Sequence, residues 1–379
     1  MLQRPVPRLP DVIRPIVPDY GGACVRGIIP ALLGPDRHRG QLPEWFPSFV
    51  AGADAVVLIV LDGLGWGQLR QREHLAPTLA AMSGRSIHTV APTTTATALT
   101  SITTGLTPGE HGIVGYRMVL GGDVVNTLRW QANEQGVRRS HPPADVQGFD
   151  PFLGVEVPVV AQGELERSAF SEAHLRGSRP VGWRAPSSIA VETKHQIEAG
   201  EQFVYCYYNG VDKIAHERGF GDFYDAELRF ADALVADVVA AVPAGTAVLV
   251  TADHGQVHVA DNVIEPSPEL LRPVTMQSGE GRFRWLHCND ADVDALVDAA
   301  TDAHGDVAWV ASREQMLDEA WFGPVVAPPV RRRLGDVALV PFEPVSFHEA
   351  ADSGPYELVC RHGSLTADEV EVPFVGTLT

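Results

Sequence analysis

Carboxylates and imidazoles recur in this chain directly after runs of apolar residues. Val56-Val57-Leu58-Ile59-Val60-Leu61 runs into Asp62. Phe203-Val204-Tyr205-Cys206-Tyr207-Tyr208 leads to Asp212, with His216 four residues on, and Ala247-Val248-Leu249-Val250 leads to Asp253-His254-Gly255. Between the first two lies Ala91-Pro92-Thr93-Thr94-Thr95-Ala96-Thr97, a concentration of hydroxyls. Near the C-terminus, Arg361-His362-Gly363 follows Tyr356-Glu357-Leu358-Val359-Cys360. Carboxylates, imidazoles and one hydroxyl delivered from strand ends are the parts of a two-metal phosphoryl-transfer site.

Each part also has a plainer reading. Asp62 can cap the helix that follows its strand. Asp212 and His216 share a face if a helical turn follows, yet an Asp N-cap with a surface histidine has the same spacing. His362 at a strand end can be a satisfied core histidine. Asp253-His254 shifts the balance, because a hard carboxylate and an imidazole at one strand end, with Gly255 permitting a tight turn, suit a metal. Asp62, Asp212, His216, Asp253, His254 and His362 together offer oxygen and nitrogen donors for two divalent ions, with Thr95 and substrate oxygens in the remaining positions. The mixture favours zinc, with manganese or iron as the alternatives.

The nucleophile must be an oxygen. Pro92 keeps the residue before it extended, and Thr95 then stands at the start of a helix through Ala98, Leu99, Ile102 and Thr103, where free N–H groups attract anions. The competing account is a threonine N-cap in a threonine-rich turn.

The elements that must position these residues are those of an α/β chain. Tyr224 to Val242 carries Phe230, Leu234 and Val238 at steps of four, the stripe of a helix lying on a sheet. Strands alternating with such helices predict a three-layer α/β/α sandwich with a mainly parallel central sheet. Residues 1–50 read as a Pro- and Gly-rich N-terminal arm and 51–379 as the catalytic domain. Leu64 to Met82, broken by Pro77, reads as two short helices before a strand at Ser86 to Val90. Two stretches fit the alternation poorly: about Arg117 to Gly200, read as a loop-rich excursion, and about 256–330, read as a small strand-helix-strand cap insertion.

Composition limits the partners. With 379 residues and 45% hydrophobic content the chain can bury a large core. A formal charge of −19 opposes the counterion-releasing attraction to duplex nucleic acid, so no nucleic-acid scaffold role is expected. Cys24, Cys206, Cys288 and Cys360 form no CxxC pair, which reads as buried, reduced thiols. Met1-Leu2-Gln3-Arg4-Pro5-Val6-Pro7 has no apolar leader core, and no stretch reaches the roughly 18 apolar residues of a spanning helix. The expectation is a soluble cytoplasmic protein with no membrane partner.

The order of these motifs resembles the alkaline phosphatase superfamily, in particular its type I phosphodiesterase/nucleotide pyrophosphatase branch. The matching residues are Asp62, Pro92-Thr93-Thr94-Thr95, Thr104-Gly105-Leu106-Thr107-Pro108-Gly109-Glu110-His111-Gly112, Asp212 to His216, Asp253-His254-Gly255 and His362-Gly363. The resemblance implies one metal on Asp62, Asp253 and His254 and another on Asp212, His216 and His362, with Thr95 bridging them. It implies in-line attack by Thr95 on phosphorus, a covalent phospho-threonine, and hydrolysis by a metal-bound water. The substrate is then a small phosphodiester or pyrophosphate, with a nucleotide as one candidate. Phosphomonoester hydrolysis or phosphomutase chemistry on the same scaffold is the enzymatic alternative, and a metal-free binding protein retaining the fold is the non-enzymatic one.

One departure concerns substrate binding. Where the family places an Asn after His-Gly, this chain reads His111-Gly112-Ile113-Val114-Gly115-Tyr116. Tyr116 can donate through its hydroxyl, with Asn126 and Asn209 as substitutes, or it simply packs on the sheet. Arg129, Trp130 and Arg284 are further candidates for the leaving group. His258 and His348 rank behind His254 and His362 as ligands, His258 because helical phasing after Gly255 is doubtful and His348 because no Gly follows it.

Overall fold

The computed structural model describes residues 13–35, 41–133, 135–352 and 357–379, so Met1 to Pro7 and Tyr356 lie outside the described residues. Seven strands form the central sheet: β1 (Ala55–Leu61), β2 (Ser83–His88), β3 (Pro158–Gln162), β4 (Arg179–Trp183), β5 (Phe203–Tyr208), β6 (Thr246–Thr251) and β7 (Glu371–Leu378). Their order is β2-β7-β6-β1-β5-β3-β4. β1 pairs in parallel with β5 and β6, and β3 with β4 and β5, whereas β7 runs antiparallel to both neighbours. Every residue of β1 and β6 is buried. A strand covered on both faces has no solvent side on which to place polar residues, which is why these two read as unbroken apolar runs.

Helices pack in two groups. Ser188–Glu198 and Asp222–Ala241 contact each other, and Thr95–Thr104 contacts Ala169–Leu175. The chain is therefore a three-layer α/β/α sandwich with a mainly parallel sheet. Asp222–Ala241 buries Leu228, Ala231, Leu234, Val235 and Val238, while Phe230 is 43% exposed and falls off the stripe expected of it.

The stretch from Arg117 to Gly200 is not an excursion, because it contributes β3 and β4 to the central sheet. β4, Arg-Pro-Val-Gly-Trp, lies at the sheet edge with alternating exposure. Edge strands tolerate Pro and exposed residues, and that removes the apolar signal. The run ending at Cys360 forms only a two-residue pairing, Cys360–Arg361 with Val257–His258. A second sheet joins Met276–Glu280, Phe283–His287, Val337–Pro341 and Ala308–Ser312, all antiparallel, and so extends past residue 330. With the helix Val293–His304 it has a small core of its own around Leu286, Leu296 and Leu339.

The N-terminal arm is fastened at both ends of this plan. Ile28, Ile29 and Leu32 are buried. Tyr20 Oη donates to the Trp321 carbonyl at 2.6 Å and accepts from Ala91 N at 3.1 Å, linking the second sheet's region to the turn before Thr95. None of the described helices is long and apolar enough to cross a membrane.

Candidate active site

Three neighbouring strands end level with one another. Leu61 of β1 pairs with Tyr208 of β5, and Val60 with Thr251 of β6, so Asp62, Asn209 to Asp212, and Asp253 emerge side by side at the carboxyl edge of the sheet. Ligands bind at that edge in open α/β sheets. Tight turns let the backbone fold over the site. Gly63 has φ +74°, and a Cβ there would stand 2.8 Å from Asp212 Cβ and 2.5 Å from Gln256 Nε2.

Two groups of side chains converge. Asp62, Asp253 and His254 form one, with Asp212, His216 and His362 forming the other; within each, the donor atoms lie within 4.8 Å of one another. His254 Nε2 is 3.5 Å from Asp62 Oδ1 and 3.5 Å from Asp253 Oδ2. In the second group His216 Nε2 lies 3.2 Å from Asp212 Oδ1 and 3.2 Å from His362 Nε2.

The histidines share one orientation device. His254 Nδ1 faces the Gly255 carbonyl at 3.0 Å, His216 Nδ1 the Cys360 carbonyl at 2.7 Å and His362 Nδ1 the Thr93 carbonyl at 2.8 Å. A carbonyl only accepts, so each Nδ1 carries the proton and each Nε2 presents a bare lone pair. Fixing the tautomer through the far nitrogen is how proteins aim metal-binding imidazoles. Two such lone pairs 3.2 Å apart, those of His216 and His362, cannot satisfy each other.

The carboxylates make the same demand. Asp62 Oδ1 and Asp253 Oδ2 are buried without a hydrogen-bond partner, and among the described residues no Lys or Arg pairs with either carboxylate. Burial raises the pKa of both carboxyls; Asp253 and Asp212 push Asp62 further up, whereas on Asp253 the neighbouring His254 opposes the shift and Asp212 adds to it. Burial, then His254 and His216, lower that of His362. Orphaned anionic oxygens and bare imidazole lone pairs in one dry place fit divalent cations.

Thr95 opens the helix Thr95–Thr104 as its first residue, after Thr94 in extended conformation with no side-chain cap. Its Oγ1 lies 3.1 Å from His254 Nε2. The first N–H groups of a helix have no partner within it, and Thr95 stands at that end. Thr93 locks the turn, since its Oγ1 donates to the Ser364 carbonyl and accepts from Gly363 N, both at 2.9 Å. The turn carrying Thr95 and the loop carrying His362 are thus one unit.

The motif residue His111 is not at this centre. Its Nδ1 accepts from Ile113 N at 3.1 Å, so Nε2 donates to Ser101 Oγ at 2.8 Å and ties down the nucleophile helix. Among the residues proposed for substrate contact, Asn209 lines the cavity beside Thr95, Asp62 and Asp212, at a helix start that it does not cap. Tyr116 and Asn126 do not line it. Asn126 Oδ1 accepts the Arg129 amide at 3.0 Å, a use inside its own turn, and Tyr116 contributes its carbonyl to Thr127 N. Trp130 is buried with Nε1 on the His141 carbonyl. Arg284 is buried against Glu349 and Asp352. His258 and His348 lie outside both groups.

Residues 56–365 match the type I phosphodiesterase / nucleotide pyrophosphatase family. The chain belongs to this family. Type I phosphodiesterases and nucleotide pyrophosphatases are phosphoric ester hydrolases, and the chain is an enzyme of that class. No curated protein matches it by sequence. Among solved structures it is similar to murine ectonucleotide pyrophosphatase / phosphodiesterase 5, at 14% identity and a TM-score of 0.63 over 85% of this chain and 87% of that one. An inactive variant of the murine protein is known in complex with AMP. Phosphonoacetate hydrolase from Sinorhizobium meliloti 1021, in complex with phosphonoacetate, is similar at 18% identity and a TM-score of 0.60 over 86% and 90%. These likenesses establish the alkaline phosphatase-like fold.

Sequence reasoning passed over several residues around the centre. Tyr207 Oη donates to Asp62 Oδ2, and Gln256 Nε2 donates to Asp212 Oδ1 at 3.0 Å. Both were within reach, Tyr207 by sharing a face of β5 with Tyr205, and Gln256 by following Gly255. Glu280 gave no signal. It comes from the second sheet, where burial pushes its carboxyl up to about 8, and its Oε2 lies 3.9 Å from His362 Nδ1.

Proposed function

We propose that this protein is a metal-dependent hydrolase of phosphodiester or pyrophosphate bonds in a small molecule, a nucleotide among the candidates, acting through a covalent phospho-threonine at Thr95. The observation that carries the reading is the convergence of three backbone-tautomerised histidines and two orphaned carboxylate oxygens around Thr95 Oγ1.

Asp62, Asp253 and His254 would hold one divalent ion, and Asp212, His216 and His362 the other; the mixed oxygen and nitrogen donors favour zinc. Bound ions would supply a lowered pKa for oxygen nucleophiles and compensation for the charge gathering on phosphorus. The remaining work belongs to the chain. Thr95 gives up its hydroxyl proton to solvent and attacks phosphorus in line, forming an Oγ1–P bond as the bond to the leaving oxygen breaks, and that oxygen leaves toward solvent to take a proton. The N–H groups at the start of Thr95–Thr104 bind the non-bridging oxygens. Asn209, held beside Thr95 and free of capping duty, donates to the same group. Attack by water from the opposite side releases the product and restores Thr95.

We place the chain in the cytoplasm, a compartment that suits four unpaired thiols. Metal analysis together with hydrolysis of bis(p-nitrophenyl) phosphate, p-nitrophenyl phosphate and a nucleotide pyrophosphate tests the proposal. Metal content near two per chain and preference for the diester or the pyrophosphate are expected. A metal-free chain inert on all three would refute the reading, and preference for the monoester would replace it with a phosphomonoesterase.

A further inference from the structure

Arg282 lies in the turn between Met276–Glu280 and Phe283–His287, and Glu369 in the short helix Ala367–Val370 that leads into β7. Both side chains are 0% exposed. Arg282 Nε donates to Glu369 Oε1 and Nη2 to Oε2, each at 2.8 Å, the two-pronged fit of a guanidinium on a carboxylate. Its remaining N–H groups go to the carbonyls of Pro341 at 3.2 Å, Glu343 at 2.8 Å and Val345 at 2.7 Å, so all five donors are taken. The carboxylate is as fully occupied. Oε1 also accepts from Ser364 N at 3.0 Å, and Oε2 from Thr366 Oγ1 at 2.6 Å.

A buried ion pair contributes little net stability, because desolvation of the two charges offsets their attraction. A network with every donor and acceptor satisfied instead holds its members in one arrangement. The segments held here carry the metal-binding histidines. Ser364 is two residues past His362, and its carbonyl accepts from Thr93 Oγ1, while His362 Nδ1 donates to the Thr93 carbonyl. The backbone carbonyl of Glu369 accepts from Gly255 N at 3.0 Å, directly after His254, and a Cβ on Gly255 would stand 2.0 Å from the Asp368 carbonyl. Glu369 therefore touches the turn of His254 through its backbone and the loop of His362 through its side chain.

We propose that Arg282 and Glu369 are a positioning pair, which anchors the His362 loop to the second sheet and so sets the affinity for the ion held by Asp212, His216 and His362. The inference rests on the two-metal reading above and adds a division of labour. Substituting the pair releases Ser364 N but leaves the Glu369 carbonyl on Gly255 N, so the ion on Asp62, Asp253 and His254 keeps its hold.

Zinc titration against a chromophoric chelator measures each ion alone, the first in Asp212→Ala and the second in Asp253→Ala. Arg282→Met combined with Glu369→Leu replaces the pair by apolar side chains. Added to Asp253→Ala, this change is expected to weaken zinc binding about tenfold to a hundredfold, and added to Asp212→Ala by less than about twofold. In the otherwise wild-type chain it should weaken one of the two ions only. Glu369→Gln, which keeps one oxygen for Ser364 N, should act in the same direction by a smaller factor, and it decides the matter if the double change prevents folding. Equal weakening of both ions marks a general loss of structure and overturns the proposal, as does an unchanged affinity for both. A wild type that binds no zinc defeats the two-metal reading itself, whereas two ions without a selective loss defeat only the positioning pair.

Discussion

The two ligand groups differ in charge and in wetness. Asp62, Asp253 and His254 place two carboxylates and one imidazole in side chains 3%, 0% and 0% exposed. Asp212, His216 and His362 place one carboxylate and two imidazoles in side chains 16%, 14% and 8% exposed. The inner group therefore concentrates more negative charge where water cannot shield it. Such an arrangement pulls hardest on a cation and costs most when the cation is missing. The outer group, with one carboxylate and partial access to solvent, carries the smaller electrostatic cost.

The largest effect should come from the residue nearest the inner group. Thr95→Ala is expected to lower kcat on a diester on the order of a thousandfold or more, as removal of a covalent nucleophile does. Metal content should stay near two per chain, because all six carboxylate and imidazole donors remain. Full activity in this variant would end the nucleophile assignment, and loss of metal would show that the hydroxyl is chiefly a ligand.

Asymmetric metal loss sharpens the contrast. Asp212→Ala and Asp253→Ala should each leave about one metal per chain and activity about a hundredfold or more below wild type. Under chelator, release from the wild type should be biphasic. The fast phase should be absent from Asp212→Ala, and the slow phase from Asp253→Ala. Metal analysis of timed, desalted samples reads this directly, and single-phase release would mean that the difference in burial has no bearing on exchange.

The two groups were also unequally legible in the sequence. Asp62 and Asp253 follow β1 and β6, central strands whose burial on both faces forces an unbroken apolar run, so strand and carboxylate announce each other. His362 follows a two-residue pairing, and its neighbourhood is set by Thr93, Gly363 and Ser364 across the chain, contacts without local periodicity. The fold class could be read from the alternation of strands and helices. β4 was hidden because an edge strand bearing Pro and Gly lacks the apolar signature, and β3 because its five residues start on a Pro and end half-buried at Ala161 and Gln162.

The smallest effect isolates the electrostatic cost of the inner group. Burial raises Asp62 and Asp253 above the ordinary value of 3.8, with neighbouring carboxylates adding to the shift of Asp62 and His254 opposing that of Asp253. A carboxyl whose folded pKa exceeds its unfolded one binds more protons when folded, so its contribution to stability falls as pH rises from about 3.8 toward the folded value. Asp253→Asn removes one of the two like charges. The Asn Oδ1 still accepts from Gly63 N and His254 N, as Asp253 Oδ1 does at 3.0 and 3.1 Å, and its amide can donate to the orphaned Asp62 Oδ1. In the metal-free protein this variant should be more stable than wild type by about 1 kcal/mol or more at pH 7.5, with the gain shrinking toward pH 4. Buried neutral histidines common to both proteins, among them His111 at about 3 and His287 at about 4, penalise acid equally and cancel in the difference. Asp212→Asn should gain less, because that carboxylate is partly solvated and already accepts from Gln256 Nε2. Chemical denaturation of the three metal-free proteins across this pH range decides the matter: equal gains at both sites would mean that burial does not distinguish the two groups, and with metal restored the order should reverse, since Asp253→Asn then forfeits the tighter ion.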